Sequence, residues 1–230
     1  MDRDKQALKT YSAQISDHIK KALLKGELKP GDKINEVRLA AALSISRAPV
    51  REALQLLVNN GLVVSVPQRG KFIKKLSAKE IQDGYHIGGV LEGAAVAMSV
   101  ESFDDGDFAR LNSLLRSMGE LRKTSVGYGE QLADLDVAFH DALLARASNR
   151  LMVEQARAMC QRRSKFLLFN LWPGAFTPDE VVERHKRVLD AVNARSRRVI
   201  EETLREHYIE LGARMAALAS PPAETRACAL

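Results

Sequence analysis

Three of the five histidines in this 230-residue chain stand where a helix would turn them inward. His140 follows Asp136 by four residues, so on a helix both side chains share one face with Leu132 and Leu143. His185 is in phase with Val181, Val188, Leu189 and Val192, and His207 with Ile200, Leu204 and Leu211. Imidazole and carboxylate suit zinc, nickel, iron or manganese, and a helical bundle can converge them from several helices. A single inward histidine is more often a hydrogen-bonded core residue. Three of them, with an aspartate one turn from the first, form a candidate divalent-metal site with zinc as the leading ion, and spacing alone leaves both readings open.

A second chemistry is carried by Arg47 and Arg51, four residues apart and therefore projecting together from one side of a helix. The planar guanidinium fork suits guanine edges and phosphates alike. Ser46 can cap the start of that helix, Pro49 falls in its first turn, and Val50, Ala53, Leu54 and Leu57 form its apolar stripe. Two arginines could equally form a solvated face, so the surrounding elements decide.

Those elements are legible upstream and downstream. A helix is expected from near Tyr11, with Ile15, Ile19, Ala22 and Leu23 in phase and Gly26 as its stop. Lys29-Pro30-Gly31-Asp32 reads as a turn, and Asn35 can cap a second helix carrying Val37, Leu39, Ala40 and Leu43. Ser44-Ile45-Ser46 then separates it from the arginine helix. Residues 62–66 and 71–75 read as two strands around Pro67-Gln68-Arg69-Gly70. Two short helices joined by a tight turn, followed by a hairpin, predict a winged helix-turn-helix that lays its second helix in the DNA major groove.

Charge agrees with that partner. Residues 1–76 hold 15 Lys/Arg against 7 Asp/Glu, a net +8, whereas the rest of the chain holds 20 against 22, a net −2. A basic unit beside a nearly neutral one suggests that only the first meets a polyanion. With 46% apolar and 28% charged residues the chain has the composition of a globular protein with two domains. No apolar run approaches the roughly 20 residues of a membrane span and the start is polar, so a cytoplasmic protein without membrane attachment is expected. Cys160 and Cys228 suggest neither a disulfide framework nor a zinc motif.

After a connector at 77–80, every further segment reads as helix. Leu111, Leu114, Leu115, Met118 and Leu121 mark one, Leu132, Leu135, Phe139 and Leu143 another. A long segment from about Leu151 to Trp172 is closed by Pro173-Gly174, Thr177-Pro178-Asp179-Glu180 opens the next helix as a capping box, and the last begins after Ser196. The expected architecture is mainly α: a winged helix-turn-helix over 1–76 and an all-helical bundle over 81–215, followed by a mobile tail at 216–230.

Pro30-Gly31, Asn35-Glu36, Leu39-Ala40, Ser46-Arg47-Ala48-Pro49-Val50-Arg51-Glu52-Ala53-Leu54, Gly61-Leu62 and Arg69-Gly70 resemble the GntR family of transcription regulators over about residues 8–76. The resemblance implies that Ser46, Arg47 and Arg51 contact operator phosphates and bases and that the wing tip at Arg69 and Gly70 enters the minor groove. Val37 departs from the pattern, since many relatives carry a DNA-contacting arginine there. Leu135-Asp136 through Phe139-His140, Ser148-Asn149, Glu183-Arg184-His185 and Glu206-His207 are similar to the C-terminal FCD domain of the FadR-type subfamily. That similarity implies a metal held by Asp136, His140, His185 and His207, a small carboxylate effector, and a homodimer that represses or activates from a short pseudo-palindromic operator. Gly88 departs here, ahead of Leu91-Glu92, where relatives often carry an arginine that helps bind an acid.

Two other functions compete. A metalloenzyme would need a general base at the open coordination position, yet the chain has no HExxH or comparable signature, and its winged helix would be idle. An acyl-CoA-binding regulator without metal would gain nothing from three inward histidines. A regulator that is not an enzyme accounts for both clusters.

Overall fold

The computed structural model describes residues 2–124 and 127–220, and for 2–10 and 160–165 it describes the backbone alone. The Cys160 side chain and Cys228 therefore lie outside the described residues. The chain separates into two compact units, Met1–Leu76 and Ser77–Leu230. No described helix is long and apolar enough to cross a membrane.

In the first unit, helix α1 spans Asp2–Leu24. It begins well before Tyr11 because Lys5 to Lys9 are good helix formers with no breaker among them. Ile15, Ile19, Ala22 and Leu23 are buried, and Gly26, with φ +73°, takes the left-handed conformation that ends the helical run. Helix α2 spans Glu36–Ala42, and the Asn35 carboxamide oxygen accepts from the amides of Val37 and Arg38, both at 3.0 Å. Helix α3 spans Arg47–Asn59 and buries Pro49, Val50, Ala53, Leu54 and Leu57. Ser46 occupies its N-cap in extended conformation, but the hydroxyl makes no capping hydrogen bond.

Strands β1 (Val63–Val66) and β2 (Gly70–Ile73) pair antiparallel, with Val63 opposite Ile73 and Val66 opposite Gly70. The wing is shifted from the sequence expectation at 71–75, for Gly70 belongs to the ladder and Lys75 does not. Gly70, at φ +101°, closes the turn while entering the strand, and Gln68 at φ +58° supplies the other left-handed step. Lys33 adds a bridge to Phe72, which ties the wing to the segment before α2.

The second unit is helical throughout its described residues. Helix α4 spans Ala78–Ser99, α5 Asp105–Glu120, α6 Tyr128–Leu143, α7 Arg150–Leu167, α8 Trp172–Ala175, α9 Pro178–Asn193 and α10 Arg197–Ala219. Residues 77–80, expected as a connector, are instead the capped start of α4. The Ser77 hydroxyl accepts from the Glu80 amide and the Glu80 carboxylate accepts from the Ser77 amide, which satisfies two donors that a helix start leaves orphaned. The segment expected to run unbroken from Leu151 to Trp172 stops at Leu167, passes through a 3-10 turn at Phe169–Leu171, and restarts as α8. Pro173 lies in the first turn of α8 because proline cannot extend a preceding helix but is tolerated at a helix start. The expected tail begins later than 216, since α10 continues to Ala219 with Met215 and Ala216 buried; residues 221–230 lie outside the described residues.

Among the described residues, helices α4 and α10 form the most extensive pairing. A Cβ on Gly89 would stand 2.9 Å from the Tyr208 Cβ, and one on Gly93 would stand 3.1 Å from the Glu201 Cα. Only hydrogen at these two positions lets the backbones approach so closely.

Candidate metal centre and nucleic-acid interface

Helix α6 supplies Asp136 and His140, α9 supplies His185 and α10 supplies His207, all four buried. One ring nitrogen from each histidine falls within 4.8 Å of the others. Asp136 Oδ1 lies 3.1 Å from His185 Nε2 and 3.8 Å from His140 Nε2. Residues up to 71 positions apart in sequence are thus gathered at one point, as the helical phases predict.

The outward nitrogens are already committed. His185 Nδ1 donates to the Val181 carbonyl at 2.7 Å, which turns Nε2 toward Asp136 Oδ1 at 3.1 Å. His140 Nδ1 lies 2.5 Å from Glu92 Oε1, and the other oxygen of Glu92 accepts from the Tyr208 hydroxyl at 2.8 Å. A histidine whose far nitrogen rests on a carboxylate or carbonyl is held in the orientation that metal ligation requires.

His207 tests whether a metal fits. Both its ring nitrogens are buried, and neither has a hydrogen-bond partner among the described residues. An imidazole left that way costs about 1–3 kcal/mol. Burial, reinforced by the positive charge of Arg184, drives its pKa well below the ordinary value, so the ring is a neutral lone-pair donor. Burial also opposes charge on His140, but Glu92 and then Asp136 outweigh it and lift that histidine to about 9. The Asp136 carboxyl, which burial alone would raise, is held low by the His185 hydrogen bond and the neighbouring positive charges, and is therefore a carboxylate. A negative oxygen and three histidine rings around one point fit a divalent cation, which on binding would displace the proton from His140 Nε2.

Beside this cluster, Arg184, Arg187, Thr203, Glu206, His207 and Glu210 line a cavity of about 320 Å³. Arg184 is fixed there: its Nη2 donates to the His207 carbonyl at 2.6 Å, its Nε to Glu210 at 2.9 Å, and the guanidinium lies 3.9 Å over the Phe176 ring. His86 is exposed and takes no part.

In the first unit, Arg47 and Arg51 project from the first turns of α3 with side chains 54% and 60% exposed. Ser46, Arg69 and Gly70 are exposed as well, the first at the helix start and the others at the wing tip. Val37 is solvent-facing on α2, where an arginine would also have faced solvent.

Sequence reasoning gave no role to Glu92, Tyr208, Arg184 or Glu36. Glu92 carried a signal, because it lies three and four residues from Gly89 and Val96 on a buried helix face where an acid needs a partner. Glu36 carried none, since its contacts are made only across the fold.

Comparison with known proteins identifies the two units. Residues 11–73 match the bacterial regulatory proteins of the gntR family, and residues 83–210 match the FCD domain. The chain is 26% identical over 200 residues to the HTH-type transcriptional regulator YdhC of Bacillus subtilis (strain 168), covering 86% of this chain and 88% of that one. It is 33% identical over 134 residues to the Nta operon transcriptional regulator of Aminobacter aminovorans, covering 58% and 62% respectively. In fold it is similar to a GntR-type putative transcriptional regulator from Rhodococcus sp. RHA1, with a TM-score of 0.70 at 24% identity over 90% of this chain and 98% of that one. The relatives are regulators rather than enzymes, and, with the helical unit matched over more than half its length, this chain belongs to the FCD-domain regulators of the bacterial gntR family.

Proposed function

We propose that this regulator is a cytoplasmic homodimer that binds a short pseudo-palindromic operator and responds to a small carboxylate effector held beside a divalent metal, zinc foremost. Ser46, Arg47 and Arg51 would meet the major groove and its phosphates, and Arg69 and Gly70 the minor groove. Asp136, His140, His185 and His207 would hold the metal. The observation that carries the second half of this reading is His207, whose two buried nitrogens have no described partner beside a carboxylate and two oriented imidazoles.

When bound, the metal supplies a Lewis-acidic charge suited to an oxygen-rich ligand. The chain's own residues do the rest. Glu92 and the Val181 carbonyl orient two of the imidazoles, and Arg184 and Arg187 place positive charge along the neighbouring cavity. Gly88 offers no side chain for an acid, whereas Arg184 and Arg187 are, among the described residues, the cations lining the cavity at His207. An effector that favours one packing of α9 against α10 would shift the population that binds operator.

The test is elemental analysis of protein purified without chelator, beside the His207→Ala variant. One metal ion per chain in the wild type and none in the variant is expected, with far-ultraviolet circular dichroism unchanged. Wild-type protein free of metal would sink the metal reading and favour an organic pocket. Sedimentation with and without operator tests the dimer, and a monomer under both conditions at micromolar concentration would count against it.

A further inference from the structure

Glu36 is the first residue of α2, yet its carboxylate faces two other elements of the same unit. Oε2 accepts from Arg51 Nε on α3 at 3.0 Å and lies 3.9 Å from an Arg47 terminal nitrogen. Oε1 accepts from Lys71 Nζ on β2 at 3.2 Å. Glu36 and Lys71 are largely covered, with side chains 22% and 16% exposed, whereas the two arginines stand in solvent. Burial works against the charge of Glu36, but hydrogen bonds from Arg51 and Lys71 keep its pKa below the usual value, so it is ionised at neutral pH.

We propose that Glu36 is a specificity-determining residue of the DNA-binding surface, one that aims Arg51 and anchors the wing while making indiscriminate phosphate binding less favourable. The inference rests on the reading that Arg51 meets DNA. An arginine held through Nε keeps the edge formed by its two terminal amino groups, which is the edge that reads O6 and N7 of guanine bidentately. Without the tether the guanidinium can swing to any phosphate. The carboxylate also sets one negative charge among the cations nearest the duplex, and like-charge repulsion against phosphate weakens binding that has no base contact to offset it. Lys71, tied to the same carboxylate, couples the position of β2 to that of α3. One acid therefore raises the ratio of specific to non-specific affinity, at some loss of total affinity.

The experiment uses full-length protein, a duplex selected by the wild type from a random-sequence library, and a scrambled duplex of the same length and composition. Glu36→Gln keeps the size and one acceptor while removing the charge, and Lys71→Met cuts the wing arm alone. The expected result for Glu36→Gln is a specific-to-scrambled affinity ratio about tenfold lower. Binding of the scrambled duplex should be equal or tighter, with a salt slope steeper by about one unit. A residue that merely supported the fold would weaken both duplexes together, and melting curves of both variants separate that case. Lys71→Met should lower the ratio by a smaller factor. If Arg51→Ala weakens selected-duplex binding while Glu36→Gln leaves ratio and slope unchanged, the role of Glu36 is overturned and the DNA-facing reading of Arg51 stands. If Arg51→Ala changes nothing, that reading falls and the proposal falls with it.

Discussion

The Glu92 carboxylate lies 2.5 Å from Nδ1 of His140, joining the middle of α4 to a candidate metal ligand 48 residues further along the chain. Glu92 is 2% exposed, and its other oxygen accepts from Tyr208. An acid buried so completely is tolerable because both of its oxygens are hydrogen-bonded. Carboxylates in this position behind a ligating histidine typically contribute 10- to 100-fold to metal affinity. Glu92→Gln should therefore lower affinity by about that factor, measured by competition against a chromophoric chelator, with helical content unchanged. Equal affinity in the two proteins would remove Glu92 from the site.

The α4–α10 approach makes Gly89 a sensitive position. An added methyl would lie 2.9 Å from the Tyr208 Cβ and 3.2 Å from the Arg205 Cα, so a backbone must move. Overpacking of this kind costs about 1–3 kcal/mol. Gly89→Ala should show that loss in urea unfolding. It should also weaken metal binding, because Tyr208 and Glu92 shift relative to His140. A variant as stable as wild type would show that the helices separate freely at this point.

Acid sensitivity is expected from the start of α9. The Glu180 carboxylate accepts from the Thr177 amide at 2.7 Å and from Arg214 at 2.9 Å, and these contacts hold its pKa at about 2, the Thr177 hydrogen bond first. A carboxyl whose folded pKa lies below its unfolded value near 4.5 stabilises the fold above that value, and the contribution is lost as pH falls from 4.5 toward 2. Glu180→Gln keeps the capping geometry but does not titrate. Its melting temperature should fall less steeply than that of the wild type between pH 5 and pH 3, and parallel curves would contradict the assignment.

Arg47→Ala and Arg51→Ala should each weaken binding to a selected duplex by roughly 1–3 kcal/mol where a base contact is lost. A lost phosphate contact should instead make the salt dependence shallower. Both side chains are more than half exposed and outside the apolar core, so Arg47→Ala should leave the melting temperature unchanged and Arg51→Ala should lower it only by the loss of its hydrogen bond to Glu36. Unaltered duplex binding by both variants would withdraw the assignment of α3 as the recognition helix.

The parts of this molecule that could be read from sequence are those set by short-range physics. Asp136 and His140 share a face because they are four residues apart on α6, and the stripes around His185 and His207 turn those rings inward by the same periodicity. The Thr177 to Glu180 capping box and the Asn35 cap are likewise local, as each side chain reaches only two or three residues along the chain. Tertiary structure alone decided which residues meet across elements. Glu92 meets Tyr208 across the α4–α10 approach that Gly89 and Gly93 permit and meets His140 on a third helix, α6, and nothing in the spacing of 92, 140 and 208 encodes those distances. Glu36 likewise finds Arg51 and Lys71 only after α2, α3 and the wing have packed around their shared core. Ion pairs and buried hydrogen bonds depend on ångström-scale separations between separate elements, whereas periodicity specifies only the face on which each residue lies.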